Sequence, residues 1–211
     1  MKIITPIKNC PLCLRLSDFR SSNKLTYPSF YNGAIPIYGD KNAELLIIGL
    51  APGLKGANKT GRPFTGDRAG ETLYNTLLKY NYLHGHYDAN DLEKFSLNNC
   101  AITNAVKCVP PNNKPNANEV NNCQRFLSED LVSQKNTRAV LVLGRIAHNS
   151  LIKTLNLKIS KYPFKHNACY ELSNFKLFSS YHCSRYNINT KRLTLEMFDD
   201  VFKNIDYFMK K

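Results

Sequence analysis

No stretch of this 211-residue chain approaches the roughly eighteen consecutive apolar residues that a membrane-spanning helix needs. The opening Met1-Lys2-Ile3-Ile4-Thr5-Pro6 lacks the apolar run and small-residue cleavage site of a secretory signal. These two absences predict a cytoplasmic protein with no membrane partner. There is no internal repeat, low-complexity tract or interdomain linker, and the length suits one domain over 1–211 with a substantial core. Acidic residues are scarce: 16 Asp and Glu stand against 29 Lys and Arg, for a net charge of +13. The basic residues are dispersed rather than gathered in a tail, so the expected partner is a polyanion, nucleic acid first among them. Seven cysteines, an odd number at non-repeating spacings, argue against a secreted disulfide framework.

The patterning is that of a mixed α/β domain. Residues 1–43 read as an irregular, Pro- and Tyr-containing N-terminal arm. Apolar runs predict strands over 44–50, 99–106, 138–144 and 175–181. Helical spacing predicts helices over 70–83 (Leu73, Leu77 and Tyr80 on one face), over 118–134, from about Ile146, and over 194–209. Strands alternating with helices imply a three-layer α/β/α sandwich around a mostly parallel, four-stranded central sheet.

Four cysteines stand out. Cys10 and Cys13 form a C-x-x-C turn in the arm, and Cys108 and Cys123 follow in the domain. A zinc ribbon completes its ligand set within one short segment, whereas these four would staple the arm to the middle of the domain. Four thiolates suit zinc or an iron–sulfur cluster, and the spacing does not choose between them. Cys100 sits in a strand and Cys169 in a loop-rich region, so both are expected to be packing or surface thiols.

In open α/β sheets ligands bind beyond the C-terminal ends of the strands. Three conspicuous segments fall there: the glycine-rich block from Gly49-Leu50-Ala51-Pro52-Gly53 to Asp67, Thr103-Asn104-Ala105-Val106-Lys107-Cys108, and Ser180-Tyr181-His182-Cys183-Ser184-Arg185-Tyr186-Asn187. The first of these, G-L-A-P-G…G-A-N-K-T-G-R-P-F-T-G-D-R-A-G, resembles the first motif of the uracil-DNA glycosylases, in their type-b (family 5) branch. The other two resemble that family's middle and late motifs, and the four cysteines match the positions of its [4Fe–4S] ligands. The resemblance runs from Cys10 to the closing helix. It implies a monofunctional, monomeric repair enzyme that excises uracil, and other deaminated bases such as hypoxanthine, from DNA and leaves an abasic site. It also implies the cluster rather than zinc, and a location at the nucleoid.

Chemistry assigns roles within that resemblance. Cleaving an N-glycosidic bond builds positive charge on the sugar and negative charge on the base, then consumes water. His182 is the expected donor to the departing base oxygen. Asp67 precedes a helix, where aspartate is also a favoured cap. The family's other branches carry a polar or acidic residue in the first motif where this chain has Leu50 and Ala51, so Asp67 is the expected carboxylate and Asn58 the alternative water-holder. Phe64 is expected to stack on a flipped base, and Asn104 to accept from uracil N3–H and donate to O4. Gly49 and Ala51 let the backbone approach the base. Ser184, Arg185, Lys191 and Arg192 are expected at DNA phosphates, with Tyr186 filling the vacated stack. One departure stands beside the motif: Cys183 replaces the usual proline after the histidine, which predicts a freer loop. Two other readings, a non-catalytic Fe–S DNA-binding protein and a metal-dependent Fe–S nuclease or primase, account less well for Asp67 and His182. A nuclease needs several carboxylates to hold its divalent metals, and the motif segments contain only Asp67.

Overall fold

The computed structural model describes residues 6–211; the segment 1–5, part of the expected arm and of the region read for a signal, lies outside the described residues. Four strands, β2 (Leu45–Gly49), β5 (Cys100–Asn104), β6 (Ala139–Leu143) and β8 (Lys176–Ser180), run parallel in the order β5-β2-β6-β8. The uninterrupted apolar character of β2 and β6 follows from burial on both faces. Two short antiparallel strands close the edges: β1 (Tyr38–Gly39) beside β5, and β7 (Cys169–Glu171) beside β8. The predicted sheet thus forms the centre of a six-stranded one. A separate hairpin pairs β3 (Leu83–Gly85) with β4 (Phe95–Leu97).

The period of two along each strand sorts its side chains into two cores. Leu45, Ile47, Leu141 and Leu143 face α3 (Arg68–Lys79) and α7 (Leu195–Met209), which supply Leu73, Leu77, Phe198 and Phe202. Leu46, Ile48, Val140 and Val142 face α4 (Ala117–Ser133) and α5 (Arg145–Thr154), which supply Leu127, Leu151 and Ile152. The three-layer reading holds.

The arm is more regular than its sequence suggests. Its residues Leu14–Thr26 form α1, whose buried positions are Leu16, Arg20 and Asn23. Two of those three are polar, so no apolar stripe announces the helix. Arg15 on α1 makes a two-pronged pair with Glu119, both bonds 2.7 Å, and Glu119 also closes a capping box with Asn116 at the start of α4. That contact fastens the arm to the domain beside Cys123.

In the parallel register Gly49 lies opposite Asn104, and Leu143 opposite Ser180. All four strands therefore end on one edge; the chain passes from β2 to β5 on one side, then crosses back over β2 to β6 on the other. That is the switch point at which such sheets leave a crevice.

Candidate functional site

A cleft of about 680 Å³ opens at that edge, walled by Leu50, Ala51, Leu143, Ile146, Phe164, Tyr181 and the first turn of α3. At its floor lies a recess of about 40 Å³, lined by Ala51, Pro52, Gly53, Ala57, Phe64, Asp67, Ala69, Asn104 and His182. Ala51, Gly53, Asp67, Ala69 and His182 belong to both, so the cleft leads into the recess.

The recess is shaped by close backbone approach. A Cβ on Gly49 would lie 2.4 Å from Asn104 Oδ1 and 2.5 Å from Phe64 Cε2, so only glycine admits both side chains. Phe64 has φ +55°, a left-handed conformation unusual for a bulky residue and of the kind that clusters at ligand sites. Its ring stands 5.6 Å from that of His182, at 22°. Asn104 is buried with Oδ1 lacking any partner, and His182 Nδ1 is enclosed and equally unpartnered. A buried polar atom left unpaired costs about 1–3 kcal/mol, so two of them facing one small space mark a place for a polar ligand. Burial pushes His182 down to about 4, which keeps its imidazole neutral at physiological pH.

Asp67 does two things at once. Its Oδ1 accepts from Gly70 N at 2.9 Å and caps α3, as the sequence suggests. Its Oδ2 faces Gly53 and Gly56, where an added Cβ would come within 3.2 and 2.6 Å. Solvent reaches the residue from the cleft, yet protein crowds the carboxyl group on the recess side. That loss of solvation raises its pKa, against backbone bonds from Gly70 and Ala69 that lower it.

Other predicted residues divide. Asn58 is fully buried, gives its Nδ2 to Asn32 Oδ1 at 2.9 Å, and does not line the recess, although its Oδ1 is unpartnered. Ser184, Arg185 and Arg192 line the cleft; Ser184 also caps the short α6 (Arg185–Asn189), and Arg192 lies 4.9 Å over the Tyr181 ring. Tyr186, 72% exposed, and Lys191, with φ +55°, stand out in solvent outside the cleft lining. Cys183 corrects an expectation: it is fully buried, with its thiol donating to the Ala69 carbonyl at 3.5 Å. The loop lacks a proline but is tied by sulfur to the helix that Asp67 caps. Arg68 and Arg145 complete an arginine lining that sequence reading missed. Arg145 opens α5 one residue beyond β6, so the strand-end rule used for the other three strands would have found it.

The four cysteines converge. Cys10 and Cys13 from the arm pack against a buried cluster containing Cys108 and Cys123, and all seven cysteines of the chain are free thiols. Arg20 Nη1 approaches Cys108 Sγ at 3.6 Å, and Asn122 Nδ2 approaches Cys13 Sγ at 3.4 Å. Donors aimed at sulfur suit thiolate ligands. Among the described residues, no group of three or more His, Cys, Asp or Glu side chains stands positioned to hold a metal ion. Four soft donors drawn from separate segments, with N–H groups already turned toward two of them, nevertheless fit a thiolate-bound centre.

Residues 36–206 match the uracil DNA glycosylase superfamily. The chain is 39% identical over 198 residues to the Type-5 uracil-DNA glycosylase of Thermus thermophilus, covering 91% of this chain and 90% of that protein. It is 35% identical over 204 residues to the enzyme of the same name from Pyrobaculum aerophilum, covering 95% and 89%. A Type-4 uracil-DNA glycosylase from Saccharolobus solfataricus is 31% identical over 149 residues, covering 70% and 62%. With the family match spanning most of its length and full-length relatives above 30% identity, this chain belongs to the uracil DNA glycosylase superfamily.

Proposed function

We propose that the protein is a type-5 uracil-DNA glycosylase that flips uracil out of DNA and hydrolyses its N-glycosidic bond. The observation that carries the reading is the recess itself, whose lining holds Asp67 together with Asn104 and His182, the last two carrying unpaired buried atoms. Asn104 Oδ1 accepts from uracil N3–H while Nδ2 donates to O4; cytosine presents the opposite pattern and leaves both groups unsatisfied. Phe64 stacks on the extruded base, and the bare Gly49 backbone lets it seat.

As the C1′–N1 bond breaks, its electron pair passes to the base. A neutral His182 donates a hydrogen bond to O2, and that bond strengthens as charge develops. The free Oδ2 of Asp67 offsets the sugar's positive charge and orients a water. The water oxygen bonds to C1′, and its proton leaves toward the carboxylate and solvent. Free base and an abasic site result. Arg68, Arg145, Ser184, Arg185 and Arg192 meet the phosphates flanking the flipped nucleotide, with Lys191 farther along, and Tyr186 enters the stack. Asn58, tied to Asn32, supports the first-motif loop.

Cys10, Cys13, Cys108 and Cys123 would hold a [4Fe–4S] cluster, which when bound cross-links arm to domain. Such an enzyme works as a monomer in the cytoplasm, at the nucleoid; no helix among the described residues is long and apolar enough to cross a membrane. The test is incubation with a uracil-containing oligonucleotide, with and without EDTA. The expected result is abasic product formed equally in both. EDTA-sensitive strand cleavage without base release would instead identify a metal-dependent nuclease.

A further inference from the structure

We infer that Arg20 is the charge partner of the four-cysteine centre, holding its guanidinium against anionic sulfur. The inference rests on the reading of these cysteines as metal ligands. Arg20 sits on the inner face of α1 and is only 6% exposed. Its Nη1 reaches Cys108 Sγ at 3.6 Å, while Nη2 reaches the Cys10 carbonyl at 3.0 Å and Ser17 Oγ at 3.2 Å. One planar group therefore touches a cysteine of the arm and a cysteine of the domain.

Charge accounting singles it out. Two neighbouring cations have their own acids. Lys107, next to Cys108 in sequence and as deeply buried, pairs with Asp130, and Arg15 on the outer side of α1 pairs with Glu119. Arg20 has no carboxylate partner among the described residues. A buried cation without an anion is strongly unfavourable, as is a buried ion pair that has lost one partner. A carbonyl and a hydroxyl satisfy N–H groups without neutralising the charge. The groups at hand that can become negative are the cysteine sulfurs, and they stay negative only when metal replaces their protons. The planar fork matters too: it presents separate N–H groups in fixed directions to Cys108 Sγ and to the Cys10 carbonyl, where an ammonium is a single point charge on a flexible stem.

Two consequences follow. Removing the positive charge disfavours adding an electron to an already anionic cluster, so its reduction potential moves negative. Removing the fork unfastens the arm's ligand pair and speeds metal loss. The test compares anaerobically purified wild type, Arg20→Lys and Arg20→Met for chelator-driven metal release and for potential by voltammetry. Arg20→Met should release metal at least tenfold faster and show the negative shift. Arg20→Lys should recover most of the potential but less of the retention. Wild-type release and potential in Arg20→Met would overturn the inference while leaving the cluster reading intact. If Arg20→Met does not fold, Arg20→Gln, which keeps donors without charge, is judged by the same two readouts. Zinc in place of iron in the wild type would sink the cluster reading, and the release comparison would still judge Arg20. A wild type holding no metal would overturn both.

Discussion

The recess at the strand ends and the cysteine centre beneath the arm are both buried and both polar, yet they treat their polar atoms in opposite ways. In the recess, Asn104 Oδ1 and His182 Nδ1 have no partner, and the missing Cβ at Gly49 makes room for the Asn104 carboxamide and the Phe64 ring. At the cysteines, N–H groups from Arg20 and Asn122 already point at sulfur. A site for a ligand that comes and goes keeps its hydrogen bonds in reserve. A site for a resident group is built around that group's charge. The contrast gives a physical reason to read the first as catalytic and the second as structural.

The largest expected effect tests the structural half. If the four cysteines hold the proposed cluster, Cys123→Ser or Cys108→Ser should bleach the protein, remove about four irons per chain, and lower its thermal midpoint steeply, because metal bound there would contribute directly to folding. Cys169→Ser, at an exposed edge position, should change neither colour nor midpoint. Equal effects from Cys169 and Cys123 would dissolve the contrast.

Next comes Gly49→Ala. Its methyl would collide with Asn104 Oδ1 and Phe64, so uracil excision should fall at least a hundredfold while iron content stays at the wild-type value. Unchanged excision would show that the placement of Asn104 and Phe64 against this backbone does not serve the base.

His182 supplies a pH test. Its folded value of about 4 lies below the ordinary 6.5, so the unfolded chain binds the extra proton between those limits. Its contribution to stability is therefore fully present above about pH 6.5 and is lost as pH falls toward 4. Urea midpoints of wild type and His182→Ala should run parallel at neutral pH and converge through that window. Parallel curves down to pH 4 would contradict a buried neutral imidazole.

The smallest effect belongs to the rim. Removing Arg185 or Arg192 should weaken DNA binding modestly and reduce the salt slope of the affinity by about one unit each. A slope that does not change would show that these arginines meet no phosphate.

Legibility in the sequence followed burial. Central strands declared themselves because both faces are covered, so runs such as Leu45-Leu46-Ile47-Ile48 carry no polar interruption. The helix α1 did not, because its inner face is Leu16, Arg20 and Asn23 and serves a polar centre rather than an oily core. Edge strands of two and three residues are too short to show a period. The site was legible as segments, through motifs at strand ends, but not as geometry. Asp67 read as either cap or catalyst, and the structure divides the carboxylate, one oxygen to Gly70 and the other to the recess. Cys183 read as a loosened loop because sequence does not reveal that its sulfur reaches Ala69.

That division of Asp67 makes one measurement decisive. Asp67→Asn retains an oxygen for the Gly70 N–H and so the cap, but removes the negative charge beside the recess. Single-turnover excision of uracil from an oligonucleotide, under saturating enzyme, should fall by about two to three orders of magnitude, with DNA affinity and thermal midpoint near wild type. Excision at the wild-type rate by a folded, DNA-binding Asp67→Asn protein would contradict the account and return Asp67 to a helix cap.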